Sequence, residues 1–91
     1  MLQPTYTRQF QKDLKKMQKR GKNLDKIKSI IETLACEKIL ADCFRDHKLI
    51  GNYHGRRECH IEPNWLLIYK LTSQEIIFER TGSHSDLFKN N

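Results

Sequence analysis

Histidine side chains are the residues of this sequence that can do chemistry at neutral pH. His47, His60 and His84 fall at the ends or edges of three consecutive segments typical of strands, and Arg80 lies four residues before His84. Histidine can give or take a proton near neutral pH, while arginine keeps its charge and offers a planar fork to phosphate oxygens. Imidazoles gathered with one guanidinium therefore favour acid–base chemistry on a phosphate.

RNA is a substrate that such residues can cleave without a metal ion. A base takes the proton of the ribose 2′-OH, which attacks the adjacent phosphate, and an acid protonates the departing 5′ oxygen. Cations stabilise the crowded phosphate, and aromatic rings can stack on a base that has left its helix. The second half of the sequence supplies all of these residue types.

The cysteines predict neither a metal site nor a disulfide framework. Cys36, Cys43 and Cys59 are an odd number of widely spaced residues, without a CxxC pair. Zinc sites and disulfide frameworks show closely spaced ligand pairs or even numbers of cysteines. We expect no metal, no other cofactor, and three reduced, buried thiols in a cytoplasmic protein.

Size and charge describe one small basic domain that spans residues 1–91. The net charge of +6 and the isoelectric point near 9.4 favour an acidic partner such as RNA, DNA or an acidic protein. Mean hydropathy is low, at −0.75, but the aromatic residues and the Ile and Leu runs suffice for one core. With no signal peptide and no long apolar run, we expect no membrane span.

The first half of the sequence predicts a short strand and two amphipathic helices. Leu2–Thr7 favours a strand, which Pro4 restricts to an edge. Apolar residues then recur at helical spacing in two runs, separated by a helix stop at Gly21 and a helix cap at Asn23. The runs consist of Phe10, Leu14 and Met17, and of Leu24, Ile27, Ile30, Ile31 and Leu34. We expect an antiparallel helical hairpin that packs on the sheet.

Positive charge is concentrated on this hairpin. Nine of the 17 Lys and Arg residues lie between Arg8 and Lys28, against two acidic residues. A solvated surface is sufficient explanation for any single lysine, but the group favours contact with a phosphate backbone. The candidates for RNA binding in this group are Lys15, Lys16, Lys19 and Arg20.

The second half predicts three strands after a loop at residues 41–55. Arg56–Glu62 alternates between polar and apolar residues, and Trp65–Leu71 is a nearly continuous apolar run typical of a central strand. Glu75–Thr81 follows as the third strand of an antiparallel meander, and His84–Lys89 as a short helix. The order predicts an α+β fold, β-α-α-β-β-β-short α, with a two-helix hairpin packed on a small, mostly antiparallel sheet.

Alternation also predicts the side of the sheet on which each side chain lies. Alternation places Arg56, Glu58, His60 and Glu62 on one polar face, while Cys59 enters the core. Arg80 is in phase with Ile76 and Phe78, which favours a core-facing side chain, although its position at the end of a strand would let it reach a cleft. The alternation and the strand-end position therefore give conflicting predictions for Arg80.

Three motifs make the second half more specific than its composition. They are F-R-D-H-K-L-x-G at Phe44–Gly51, R-R-E-C-H-I-E-P-N-W-L-L-I-Y-K-L at Arg56–Leu71, and F-E-R-T-G-S-H-S-D-L-F at Phe78–Phe88. Together they closely resemble the YafQ-type branch of the RelE/ParE toxin superfamily. The resemblance covers roughly the whole chain and is weakest in the helical hairpin. It implies a RelE-like fold.

The resemblance also implies a function. Proteins of this branch are toxins of bacterial type II toxin–antitoxin systems that enter the A site of the 70S ribosome and cut mRNA there, which stops translation. The implied partners are an antitoxin with an acidic neutralising segment, the ribosome, mRNA and rRNA. The implied activity is that of a metal-independent endoribonuclease.

The family pattern assigns roles to particular residues of this chain. His47, His60, Arg80 and His84 match catalytic positions, and Phe88 matches a position beside the substrate. Trp65 matches a position beside the site as well, although a tryptophan is equally often a core residue. His54 matches no site position, and we expect no role for it.

One residue departs from the family pattern. Asn64 stands where the family often has Asp, just before Trp65. Asparagine can hydrogen-bond to substrate or to an imidazole, but it cannot carry a negative charge or accept a proton as a carboxylate does. The base or orienting role of that carboxylate is therefore altered in this chain.

A second class of function is open on the sequence. The chain can instead be a non-catalytic basic module that binds nucleic acid or protein, as in the ParE-like, gyrase-inhibiting branch of the same superfamily. That branch generally lacks the histidine set, so His47, His60 and His84 at matching positions favour the ribonuclease.

Overall fold

The computed structural model of the chain describes residues 1–88. Its helices are α1 (Arg8–Lys19), α2 (Leu24–Ala35) and α3 (His84–Leu87), and its strands are β1 (Gln3–Tyr6), β2 (His47–Lys48), β3 (Arg57–Glu62), β4 (Trp65–Leu71) and β5 (Glu75–Gly82). Two short 3₁₀ turns, Asp42–Phe44 and Gly51–Tyr53, flank β2. The α+β class is confirmed, with β2 as an additional strand inside the predicted loop. The predicted end of the last helix at Lys89 lies outside the described residues.

The five strands form one sheet in the order β1-β5-β4-β3-β2. Strands β3 to β5 pair antiparallel, as predicted for the meander, and β2 adds to β3 antiparallel. Strand β1 pairs parallel to β5, with Tyr6 opposite Phe78. Pro4 lies in this edge strand, where it interrupts no second row of hydrogen bonds. The sheet is therefore mixed, with its polar end at β2.

Local signals begin and end the helical hairpin where the sequence predicts. The Thr7 hydroxyl accepts a hydrogen bond from the Phe10 N–H at 3.0 Å, and the Asn23 side chain accepts one from the Asp25 N–H at 3.0 Å. Both contacts satisfy backbone donors that the first turn of a helix leaves free. Between the helices, Gly21 has a φ of +84°, which glycine adopts without steric cost.

The sheet is covered on both faces. One face, called the helix face below, packs on α1 and α2 in a core that contains Phe10, Met17, Ile27, Trp65, Tyr69 and Phe78, among others. On the other face, called the site face, Leu66 and Ile68 pack against Leu87 of α3. Leu49 and Tyr53 from the segment after β2 cover the rest of this smaller cluster. The site face is therefore partly closed by α3 and by that segment.

A β-bulge in β5 decides the position of Arg80. Phe78 lies opposite Tyr69 and Arg80 lies opposite Ile68, so Glu79 is an extra residue in β5. Directly opposite residues point to the same side of a sheet. Because Ile68 belongs to the cluster on the site face, Arg80 lies on that face too. The core-facing Arg80 predicted by alternation is therefore wrong.

A second bulge in β3 moves Glu62. His60 lies opposite Leu66, and Glu62 lies opposite Trp65, which leaves Ile61 as the extra residue. Because Trp65 belongs to the core under the helices, Glu62 lies on the helix face and not beside His60 as alternation predicted. Bulges of this kind are common next to active sites, where they redirect a side chain.

The cysteines are only partly as predicted. Cys59 is fully buried, and burial raises the pKa of its thiol to about 12. Cys36 and Cys43 are exposed, so the prediction of buried thiols is wrong for both. Within residues 1–88, no helix has the length and apolar character to cross a membrane.

Candidate active site

One row of side chains crosses four strands on the site face. His47 in β2 lies opposite Glu58 in β3, Glu58 lies opposite Ile68 in β4, and Ile68 lies opposite Arg80 in β5. His60 is two residues further along β3 and therefore on the same face. The sheet register thus brings three of the predicted catalytic residues to one surface.

The fourth predicted residue joins this row through α3. The centroids of the His47 and His60 rings lie 6.2 Å apart, and those of His60 and His84 lie 5.8 Å apart. The Phe88 ring follows at 6.0 Å from the ring of His84. The three imidazoles and the aromatic ring therefore form a continuous line across the site face.

His47 lies between two hydrogen-bond acceptors. Its Nδ1 lies 2.6 Å from the carbonyl oxygen of Arg45, and its Nε2 lies 3.2 Å from Oε2 of Glu58. A carbonyl oxygen can only accept, so Nδ1 carries a proton, and the contact with Glu58 needs a second proton between Nε2 and the carboxyl group. Both ring nitrogens of His47 are therefore engaged by oxygen atoms of the protein.

Glu58 is a site residue for which the sequence predicted no role. Its side chain is 6% exposed, and its Oε1 lies 3.7 Å from Nε2 of His60, too far for a hydrogen bond. Within residues 1–88 this buried oxygen makes no hydrogen bond. An unsatisfied buried carboxylate oxygen is costly, and this carboxylate lies against two imidazoles. Its alternation with His60 along β3 was the signal available in the sequence.

Asn64 holds His84 by two hydrogen bonds. Its Oδ1 accepts one from the backbone N–H of His84 at 3.0 Å and lies 3.2 Å from Nδ1 of the same residue. Because the backbone N–H needs an acceptor, the side-chain oxygen and not the nitrogen must face His84. Nδ1 of His84 therefore donates, which leaves Nε2 directed elsewhere for proton transfer.

Arg80 is held by a carboxylate from α1. Its Nε donates to Oδ2 of Asp13 at 2.7 Å, and the same oxygen accepts from the backbone N–H of Thr81 at 3.1 Å. The hydrogen bond to Asp13 raises the pKa of Arg80, so the guanidinium stays charged. The Arg80 side chain is 27% exposed, which leaves part of it accessible to a phosphate.

Phe88 is fixed beside His84 by Tyr53, a second residue for which the sequence predicted no role. The two aromatic rings meet edge to face with centroids 5.5 Å apart, and the Tyr53 hydroxyl donates to the carbonyl of Leu87 at 3.3 Å. Both contacts tie the end of α3 to the 3₁₀ turn after β2.

Trp65 lies in the core and not at the site. It is 0% exposed, and its Nε1–H donates to the hydroxyl of Thr81 at 2.9 Å. That hydroxyl donates in turn to the carbonyl of Leu66 at 2.7 Å. A fully buried indole cannot stack on an RNA base, so the prediction that Trp65 contacts substrate is wrong.

The basic residues of α1 fall into two groups. The Arg20 guanidinium makes a two-point contact with Asp86 of α3, at 2.6 and 3.1 Å, and Lys16 lies 3.6 Å from the same carboxylate. Within residues 1–88, Lys15 and Lys19 form no ion pair, and both are exposed. The prediction of four free RNA-binding cations therefore needs correction for Arg20 and Lys16, which are already engaged.

A cavity of about 570 Å³ opens beside His60 and His84. Its other walls include Phe44, Arg45 and Pro63. This volume is in the range of small-molecule binding sites, and the imidazoles form one of its sides. In the described part of the chain, no group of three or more His, Cys, Asp or Glu side chains is arranged to hold a metal ion.

The fold and the site together define a class: a small α+β domain with three imidazoles and a guanidinium on one face of its sheet. A family model described as bacterial toxin of type II toxin-antitoxin system, YafQ, matches residues 2–89. The chain therefore belongs to the YafQ family of toxins from type II toxin–antitoxin systems.

Individual relatives agree with this family. The chain is 44% identical over 84 residues to the mRNA interferase toxin YafQ of Escherichia coli strain K12, which covers 91% of each chain. The crystal structure of YafQ from E. coli strain BL21(DE3) has a TM-score of 0.92 at 40% identity, over 97% of this chain and 99% of that one. A crystal structure of the E. coli DinJ-YafQ complex has a TM-score of 0.90 at 42% identity, over 97% and 99% of the two chains.

Proposed function

We propose that this toxin is an endoribonuclease, an mRNA interferase, that cleaves mRNA in the ribosomal A site without a metal ion. The observation that carries the proposal is the line of His47, His60 and His84 on the face that also holds Arg80. These are the groups that metal-free cleavage of RNA requires, and the centroids of neighbouring rings in the line lie 6.2 and 5.8 Å apart. The name of the E. coli relative, an mRNA interferase, supports the same reaction.

The geometry favours a distinct role for each imidazole. His47, whose two ring nitrogens are engaged by Arg45 and Glu58, helps to position the phosphate and does not transfer the proton. His60 lies between the other two rings and is the general base that takes the proton of the 2′-OH. His84 is the general acid: Asn64 binds its Nδ1–H, and its Nε2 protonates the departing 5′ oxygen.

Arg80 and Phe88 complete the mechanism. The Arg80 guanidinium, held by Asp13, stabilises the negative charge that grows on the phosphate during attack. The Phe88 ring, held by Tyr53, stacks on a base of the A-site codon. Glu58 orients His47 through the contact with its Nε2.

We further propose that Lys15 and Lys19 contact ribosomal RNA. Both are exposed on α1, and a phosphate backbone is the partner that a positive surface of this kind fits. Because these contacts place the toxin in the A site of the 70S ribosome, naked RNA should be a poor substrate. The location of such a toxin is the cytoplasm, where its ribosomes are.

The partner that silences the toxin is an antitoxin with an acidic segment. The net charge of +6 supports this proposal, and a related YafQ has been crystallised with the antitoxin DinJ. Opposite charges would speed association and make it sensitive to salt. An association rate that stays constant from low to high salt would contradict an acidic segment.

The test of the proposed function compares ribosome-bound mRNA with naked mRNA. Toxin that has been stripped of metal ions with EDTA is added to programmed ribosomes. We expect cuts within A-site codons, mapped by primer extension. Cleavage of naked mRNA should be much slower at the same toxin concentration. Equal rates on both substrates would disprove ribosome dependence, and intact mRNA in both cases would disprove the nuclease.

A further inference from the structure

Basic residues from the end of α1 to the first turn of α2 form ion pairs with the two segments that carry His84 and its partner Asn64. Arg20, the C-cap of α1, binds Asp86 of α3 through Nη1 at 2.6 Å and Nη2 at 3.1 Å. A few residues later, Lys22 and Lys26 bind Glu62 at the end of β3, at 2.7 and 2.9 Å. These two ion-pair clusters are called the bracket below.

One arm of the bracket fixes α3. The Asp86 carboxylate also accepts a hydrogen bond from the backbone N–H of Ser83 at 2.9 Å. It lies directly against Gly82, where an added Cβ would come within 2.9 Å of Oδ2. Since α3 has only four residues, His84–Leu87, it cannot hold its own orientation. The contacts of Asp86 with Arg20, Ser83 and Gly82 therefore act together with the packing of Leu87 to orient α3 and His84.

The other arm fixes the turn that carries Asn64. Glu62 directly precedes the Pro63-Asn64 turn, and both of its carboxylate oxygens bind lysines of the hairpin. Asn64 is the acceptor for the backbone and the ring of His84. The contact between Asn64 and His84 therefore joins the turn held through Glu62 to the helix held through Asp86. Its geometry depends on the distance between that turn and α3, which both sets of ion pairs determine.

The charges that the bracket needs are present at neutral pH. The hydrogen bond from Arg20 holds the pKa of the Asp86 carboxyl well below its usual range. The hydrogen bonds from Lys22 and Lys26 lower the pKa of Glu62. Exposed ion pairs contribute little to the free energy of folding, and the Arg20 and Lys26 side chains are 39% and 53% exposed. The contribution of the bracket is therefore to geometry more than to stability.

We propose that Arg20 with Asp86, and Lys22 and Lys26 with Glu62, are positioning residues that set His84 against Asn64 for the cleavage reaction. The proposal rests on the function proposed above, and it deepens the role of His84 as general acid. It also changes the role predicted for Arg20, because a guanidinium that already donates two hydrogen bonds to Asp86 is not available to bind rRNA phosphates. Displacing a catalytic group by about 1 Å can cost about a hundredfold in rate.

The experiment separates positioning from RNA contact by kinetics on programmed ribosomes. We expect Arg20→Gln, Asp86→Asn and Glu62→Gln each to lower kcat about tenfold to a hundredfold, with KM unchanged. The double variant Arg20→Gln/Asp86→Asn should be no slower than the slower single variant, because both changes break one contact. Arg20→Lys keeps the charge but loses the two-point contact, so it should be intermediate.

Lys15→Gln and Lys19→Gln are matched controls on the same helix. Each removes one positive charge, as Arg20→Gln does, but from a side chain without an ion pair in the described chain. We expect these two variants to raise KM and to reduce the salt dependence of ribosome binding, with kcat unchanged. An Arg20→Gln variant that behaves like Lys19→Gln would overturn the proposal, as would losses in the double variant that multiply.

A second measurement needs no ribosome. ¹⁵N NMR of the free protein reports which nitrogen of the His84 ring carries the proton, and we expect Asp86→Asn and Glu62→Gln to change that signal while circular dichroism shows a native fold. An unchanged His84 signal in both folded variants would overturn the bracket. If the wild-type protein cut no mRNA on ribosomes, the proposed function would fail, while the NMR result would still decide the structural role.

Discussion

Two donors of His84 share one acceptor atom of Asn64. Oδ1 of Asn64 accepts from the backbone N–H of His84, at 3.0 Å, and from its ring Nδ1–H, at 3.2 Å. Asn64 is also the residue that departs from the family pattern. The substitution by aspartate therefore tests the role of His84 directly.

We predict that Asn64→Asp raises the cleavage rate on ribosomes by about tenfold, a change of roughly 1.4 kcal/mol in the activation free energy. A carboxylate beside Nδ1 favours the charged imidazolium, which is the form that a general acid needs. Activity should therefore persist to higher pH than in the wild type. Single-turnover rates across pH, with saturating ribosomes, measure both effects. If the Asp variant is equal to or slower than the wild type at every pH, the presence of Asn64 in place of a carboxylate costs this protein no catalytic rate.

We predict that alanine substitutions of the proposed catalytic residues cause large losses of activity without unfolding the protein. His84→Ala and Arg80→Ala should each abolish growth inhibition, and His60→Ala should be similar or slightly milder, because losing one proton-transfer group costs about 10²–10⁴ in rate. Circular dichroism must show a native fold for each variant. His54→Ala is the matched control, since His54 lies outside the line of rings. Growth inhibition by a folded His84→Ala protein would remove that residue from the mechanism.

Glu58→Gln should slow cleavage although it keeps the shape of the side chain. Without the carboxylate, the His47 and His60 rings lose the negative charge that lies beside them. The expected loss at neutral pH is about tenfold to a hundredfold. Glu32→Gln, on the exposed side of α2, controls for the loss of one negative charge. A cleavage rate equal to that of the wild type would exclude an electrostatic role of Glu58.

Trp65→Phe should reduce stability and leave ribosome binding unchanged. The substitution leaves a space in the core and removes the hydrogen bond to Thr81, for an expected cost of about 2–4 kcal/mol in the free energy of unfolding. Urea denaturation measures the cost, and KM on ribosomes measures binding. A raised KM with unchanged stability would mean that the indole reaches substrate after all.

Thiol labelling should distinguish the cysteines. Burial raises the pKa of the Cys59 thiol to about 12, so it stays protonated and enclosed at pH 8. We expect rapid alkylation of Cys36 and Cys43 in the folded protein, and alkylation of Cys59 only in denaturant. Mass spectrometry of the labelled protein counts the modified sites. Rapid modification of Cys59 without denaturant would contradict its position in the core.

The sequence by itself determined the helical hairpin, the central strands and the set of imidazoles. Those features follow from local physics: apolar residues at a period of 3.6 or 2 build one face of an element, and caps such as Thr7 and Asn23 mark where a helix begins. The types of residue that can transfer protons are also visible without a structure.

Only the tertiary structure decided which side chains meet. Arg80 and Glu62 change faces because single-residue bulges reverse the alternation, and a bulge is a relation between two strands that neither strand encodes alone. Trp65 is a core residue, and the guanidinium of Arg20 is bound to Asp86. The sequence alone does not show either fact, since burial and ion pairing depend on partners distant in sequence. The position of Glu58 between His47 and His60 required β2, a strand of two residues, His47–Lys48, too short for any periodic pattern to predict.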